Sequence, residues 1–154
     1  MNEFEAVDRI MTVMLAAFPP DFGEAWSRRQ VEDALLLGHT HYLLADPRGE
    51  DPARNSPCAG FSLSRHGYEE EELLLFAVAP EYRGKGVGTR LLDRFAECAK
   101  ARGARRLLLE MRRGNRAESV YRRMGFEPIG VRPNYYRAPH GARIDAITFA
   151  LDLD

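Results

Sequence analysis

Apolar residues recur at spacings of three and four from Phe4 through Val7, Ile10, Met11, Met14, Leu15 and Phe18, which predicts an amphipathic helix stopped by Pro19 and Pro20. A second helix is predicted behind Ser27. Gln30 stands three residues further on, the spacing of a capping box, and Val31, Ala34 and Leu35 supply an apolar side before Gly38. The pattern then shortens to a strand over His41 to Ala45. The run DPRGEDPARNSP from Asp46 is dense in Pro, Gly, Asp and Asn, and predicts an exposed hairpin loop leading to a strand near Ala59 to Ser64.

Beyond that point strand, glycine-rich turn, helix, strand and helix follow in order. This is the rhythm of an α/β (α+β) fold with at least one parallel strand pair. Glu72 to Val78 is the predicted central strand, and APEYRGKGVG leads from it into a helix over about Gly88 to Arg102. That helix buries Leu91, Phe95 and Ala99 and stops at Gly103. Arg105 to Met111 reads as the next strand and Arg116 to Met124 as a short helix ended by Gly125. Strands near Glu127 to Arg132 and Ile144 to Leu151 flank a predicted loop, PNYYRAPHGA. No repeat or composition break divides the chain, so residues 1–154 are expected to form a single domain.

Composition narrows the class. With 45% apolar residues the chain can build one buried core, which excludes a disordered polymer. Apolar runs such as Leu73 to Pro80 are strand-sized, far short of the roughly 20 residues of a membrane helix. Glu3, Glu5 and Asp8 stand where a secretory leader carries positive charge, so a cytoplasmic location and no membrane partner are expected. Cys58 and Cys98 form no CxxC pair and fit reduced, packed thiols.

The net charge of -1 conceals a division. Residues 1–72 carry 6 basic against 14 acidic residues, a net of -8, and the remainder carries 16 against 9, a net of +7. A basic half predicts a polyanionic partner: nucleic acid, a membrane surface or a phosphate-bearing cofactor. RGKGVG, Arg83 to Gly88, follows a strand and opens a helix, where backbone N–H groups and the helix dipole converge on an anion. It is neither GxGxxG, which would need glycine where Thr89 stands, nor GxxxxGK[ST]. Its own form is Arg-x-x-Gly-x-Gly, and taken alone it is equally well an ordinary turn with permissive glycines.

The segment VAPEYRGKGVGTRLL resembles the acetyl-CoA-binding segment of the GNAT superfamily of N-acetyltransferases, in which a strand ending V-x-P precedes Q/R-x-x-G-x-G/A. The resemblance continues through LLLEMRRGN and VYRRMGF and covers about residues 59 to 151. Within that superfamily, RPNYYRAPHGARIDAITFALDL is similar to the C-terminal segment of the ribosomal-protein-alanine N-acetyltransferases. The resemblance implies a mixed sheet of about six strands with about four helices. The family's first strand is expected to be absent, since Met1 to Glu3 is too short for it.

It also implies roles. Main-chain groups of Phe76, Ala77 and Val78 would pair with the pantetheine arm of acetyl-CoA. Arg83, Gly84, Lys85, Gly86, Val87, Gly88 and Thr89 would hold its pyrophosphate, and the +7 half becomes a match for a compact polyanion rather than for nucleic acid. Glu110 in LEMR takes the place of the proposed general base; the alternative is a salt-bridged Glu near Arg112. A half-buried carboxyl has the raised pKa a base needs. Tyr121 would protonate the leaving thiolate, or else simply pack beside Gly125 and Phe126. Asn115 stands six residues before Tyr121 where the family has seven, so either Asn115 still reaches the pantetheine or Gly114 takes its place.

Glu70, Glu71 and Glu72 offer a competing base, although charge runs are usually solvated. Tyr135 and Tyr136 would wall the acceptor side. His39 and His41 share one strand face by alternation, but no third ligand follows and no metal is expected; His66 and His140 read as loop residues. An α-amine with pKa near 7.7 to 8.0 is far more often neutral at pH 7 than a lysine amine near 10.4, which favours a protein N-terminus or peptide as acceptor. A small-molecule amine, a nucleic-acid-binding module using the Arg-rich half, and a coenzyme A sensor without transfer are the competing readings. A monomer or weak dimer is expected, and the acidic N-terminal half could attract a basic acceptor.

Overall fold

The computed structural model describes the backbone of residues 1–154 and every side chain except that of Asp21. The chain enters directly into α1 (Glu3–Ala17), where Asn2 caps the first turn by accepting from Glu5 N–H at 2.9 Å. Helix α2 (Arg28–Leu35) opens on the anticipated capping box, with Ser27 and Gln30 exchanging hydrogen bonds. Then come β1 (Thr40–Ala45), β2 (Gly60–His66), β3 (Glu70–Val78), α3 (Val87–Ala101), β4 (Arg106–Arg112), α4 (Glu118–Met124), β5 (Glu127–Arg137) and β6 (Arg143–Asp152). No strand precedes α1 among the described residues, so the sheet begins after α2.

The six strands form one sheet in the order β1-β2-β3-β4-β6-β5, antiparallel except for the β3–β4 pair. Helices α1 and α2 bury Val7, Ile10, Met14 and Val31 against Leu44, Phe61, Leu63 and Leu75. Helices α3 and α4 bury Leu92, Phe95 and Tyr121 against Leu107, Leu109 and Phe149. A parallel pair needs a crossover, and α3 supplies it.

The structure extends two of the expected strands in ways that move candidate site residues. The first is β5, which runs on to Arg137 rather than ending at Arg132, so Tyr135 and Tyr136 lie on a strand and not in a loop. The expected loop begins at Pro133, but the strand absorbs this residue in a bulge: pairing with β6 skips from Arg132 to Tyr136. Asn134 takes φ 56° there and its N–H donates to Asp145 at 3.0 Å. The second is β3, which begins at Glu70, so the acidic run belongs to the strand and alternates between its faces.

One irregularity positions everything that follows. Register between β2 and β3 shifts at Leu63/Ser64, where Leu63 pairs with Leu75 and Ser64 with Leu73, leaving Leu74 as an extra residue. A bulge bends its strand and increases its twist. Accordingly β3 stays paired with β4 over only four positions, Glu70 to Leu73 against Arg106 to Leu109, and then the strands part.

Candidate active site

Parting the strands leaves Leu74 to Val78 without partners on the β4 side and opens a cleft through the sheet. Two cavities, of about 680 and 560 Å³, occupy it and share Phe18, Glu24, Phe76 and Asn115 as walls. The larger lies between the end of β3, the glycine-rich turn and α4. The smaller lies between the middle of β3, β4 and the Tyr135–Tyr136 segment.

At the larger cavity the turn has the form a phosphate needs. Gly84 and Gly86 stand at φ 76° and 85°, left-handed values that L side chains resist. They stand directly before α3, at the helix N-terminus where open amides collect. Among the described residues, none of the six N–H groups from Gly84 to Thr89 meets a backbone or side-chain acceptor, whereas Arg83 N–H donates to Pro80 and Arg90 N–H to Gly86. Such a row of open donors is an anion cradle. Gly88 is glycine for another reason: an added Cβ would come within 3.2 Å of the Phe76 ring.

The side chains of the turn also serve the fold. The Arg83 guanidinium donates to the carbonyls of Val78 at 3.0 Å and Ala17 at 3.1 Å, tying the turn to β3 and to the end of α1. Lys85 is exposed and does not line the cavity. Val87 is buried against Ala45 and Leu91 and anchors the helix start.

At the smaller cavity, Glu110 faces Thr148 across the β4–β6 ladder, whose hydroxyl donates to it at 3.5 Å, and Arg132 stands at 3.6 Å. Arg112 is paired elsewhere, with Glu24 at 3.2 Å. Tyr121 is buried between Phe76 and Phe126, with ring centroids 5.8 and 5.9 Å away. Burial, assisted by the charge of Glu24, pushes its phenol well above the ordinary tyrosine range. Tyr135 and Tyr136 meet edge to face at 5.0 Å, and burial followed by Glu110 and Glu24 pushes the Tyr136 phenol up to about 12. Gly114 and Asn115 both line the larger cavity. Asn115 accepts from Ala117 N–H at 2.8 Å and donates to Glu24 at 3.5 Å, serving the start of α4 and the cavity floor together.

Glu24 is the residue that sequence reasoning missed. Its carboxylate is nearly buried where the two cavities meet, held by Arg112 and Asn115. No periodicity marks it, because its partners lie 88 and 91 residues away. The only local signal is its place in the short segment between the prolines that stop α1 and the capping box that starts α2.

The acidic run divides. Glu71 is fully buried and turned toward Ser64, at 2.6 Å, and Arg102, whose Nε donates at 2.9 Å; Glu72 lines the smaller cavity and pairs with Arg65 at 2.9 Å. The expectation of a solvated run fails at Glu71, where alternation turns it inward. Glu24, Glu72 and Glu110 thus all line the smaller cavity, each with an arginine within 3.6 Å, which offsets much of the acidity there. His66 closes β2 rather than standing in a loop, and its Nδ1 lies 2.7 Å from Nε2 of His41. No group of three or more His, Cys, Asp or Glu that could hold a metal occurs among the described residues. Cys58 and Cys98 are free thiols. No helix among the described residues is long and apolar enough to cross a membrane.

Residues 39–128 match the family model described as an acetyltransferase (GNAT) domain. The chain is 34% identical over 99 residues to the ribosomal protein bS18-alanine N-acetyltransferase of Haemophilus influenzae, covering 64% of this chain and 68% of that protein. Its fold superposes on the crystal structure of the corresponding Escherichia coli enzyme with a TM-score of 0.80 and 27% identity, over 99% of this chain and 91% of that one. A nourseothricin acetyltransferase structure matches with a TM-score of 0.64 and 27% identity, over 76% and 67% of the two chains.

Proposed function

Because this chain belongs to the GNAT acetyltransferase family and is thereby an acetyl-CoA-dependent N-acetyltransferase, we propose that it acetylates a protein N-terminal α-amine, with alanine first. The observation that carries the cofactor side is the row of six acceptor-free amides beside an unpaired strand edge. The acceptor rests on the names of the relatives and on the smaller cavity, whose aromatic walls, Phe22, Trp26, Tyr135 and Tyr136, suit a small first side chain.

The roles follow from the geometry. The amides of Gly84 to Thr89 hold the pyrophosphate, and the free edge of Phe76, Ala77 and Val78 aligns the pantetheine arm along β3. Bound acetyl-CoA supplies the activated acyl group. Glu110, oriented by Thr148 and Arg132, takes the proton from the entering amine so that the nitrogen lone pair can attack. Tyr121 keeps its proton at any working pH, and the thiolate of a thiol near 8.5 is a weaker base than so raised a phenolate, so the leaving sulfur departs as thiolate and takes its proton from solvent. Tyr121 therefore serves by a hydrogen bond to the developing thiolate rather than by completed transfer. Asn115 and Glu24 fix the floor between the two sides.

Thiol release should be measured with an N-terminal alanine peptide, with the same peptide acetylated at its N-terminus and carrying an internal lysine, and with spermidine. Release with the first alone is the expected result; a preference for spermidine or the lysine overturns the acceptor assignment. For the cradle, Gly86→Val places a β-branched residue at a left-handed φ, at a cost on the order of 1–3 kcal/mol. Titration calorimetry should find coenzyme A binding at least about tenfold weaker, since the donors no longer converge.

A further inference from the structure

The larger cavity carries more positive charge than its amide cradle accounts for. Four arginines line it, Arg83, Arg112, Arg116 and Arg123, against a single carboxylate, Glu24, among the described residues. Two of the four already hold protein groups: Arg83 the carbonyls of Val78 and Ala17, and Arg112 the carboxylate of Glu24. Arg116 and Arg123 have no carboxylate within ion-pair reach among the described residues, while their neighbour Arg122, on another side of α4, pairs with Glu118. Both are exposed at the rim.

Arg116 in the turn just before α4, and Ser119, Val120 and Arg123 on α4 at spacings of one and three, all line the cavity. Arg116 lies at the turn end, where it and burial together lower the pKa of Arg83, burial being the larger cause. Arg123 stands near the other end of α4, and Ser119 and Val120, which lie between the two arginines in the chain, also line the cavity.

We propose that Arg116 and Arg123 form a second anion site, for the ribose phosphomonoester of coenzyme A, distinct from the pyrophosphate cradle. This rests on the acetyl-CoA reading above and adds selectivity for the phosphorylated ribose. A phosphomonoester carries close to two negative charges at neutral pH, which full cations in a fork geometry meet better than backbone dipoles do. Arg116 and Arg123 are the cavity's two arginines not already engaged by protein groups. Ser119 and Val120 add a surface on which an adenosine group can lie.

Calorimetric titration of coenzyme A and of 3′-dephospho-coenzyme A tests it on three proteins: the unaltered chain, Arg116→Ala/Arg123→Ala, and Arg122→Ala. The unaltered chain should bind coenzyme A about tenfold more tightly than the dephospho form, the size of a charge-assisted contact. The double variant should lose that preference while binding the dephospho form within about twofold of the original, which also reports an intact fold. Arg122→Ala should keep the preference. Equal affinity of the unaltered chain for both ligands, or an equal loss of both in the double variant, overturns the second site and leaves the enzyme assignment standing. Failure of the unaltered chain to bind either ligand overturns both.

Discussion

Arg102→Met is expected to destabilise the protein by about 3 kcal/mol near pH 7, because it strands the Glu71 carboxylate in the sheet. Burial pushes the Glu71 carboxyl up, but hydrogen bonds from Arg102 and Ser64, with the Arg102 charge, outweigh it and hold the group below its ordinary value of 4.5. A depressed carboxyl stabilises the fold above the unfolded pKa and loses that contribution as pH falls through the folded one. The unaltered protein should therefore weaken only in acid, below about pH 4.5.

In the variant only Ser64 and the more distant His41 oppose burial, the folded pKa rises above 4.5, and the sign reverses: stability falls as pH climbs from about 4.5 toward 7. Urea unfolding at pH 4.5, 6 and 7.5 measures this. Glu71→Gln added to Arg102→Met removes the charge and should recover part of the loss at pH 7.5. A variant whose unfolding midpoint follows pH as the unaltered protein does would show that the pair is not coupled.

Glu110→Gln is expected to lower turnover at pH 7 by about 100-fold while coenzyme A affinity stays within about twofold, since Glu110 touches the acceptor side and the cradle lies at the other end of the cleft. The deficit should be largest at low pH. Most of an α-amine is protonated there and needs a base to take its proton, whereas above about pH 8.5 solvent delivers it neutral. The pH profile of thiol release for the two proteins checks the assignment, and an unchanged profile would move the base elsewhere. Glu24→Gln is the informative comparison: it removes the carboxylate that Arg112 and Asn115 hold and should weaken binding of both substrates rather than steepen the pH dependence.

The segments legible in the sequence were those whose cause is local. The three-and-four spacing of α1, the Ser27–Gln30 box and the glycine pattern at 84 to 88 each act within a few residues, and each stands where it was read. Glu71, Glu24 and Tyr135 depended on chain elsewhere. Glu71 looked solvated until Arg102, 31 residues on, supplied its counter-charge. Glu24 had only its place between the prolines and the capping box to mark it, and the β5 extension past Pro133 required a bulge that only the β6 partner defines. The structural duty of the Arg83 side chain was hidden for a related reason: its contacts with two carbonyls, one of them 66 residues away, leave no local mark.

The opening between β3 and β4 has a consequence for solubility as well as for chemistry. Strands that part within a sheet create two interior edges, and an unpaired edge is a template for another chain to add a strand and begin aggregation. Here those edges open into a cleft whose walls include Phe18, Phe22, Glu24, Tyr135 and Tyr136. The walls proposed to confine the substrates would then also cover the gap, and a substitution that thins them is expected to raise self-association before it changes specificity.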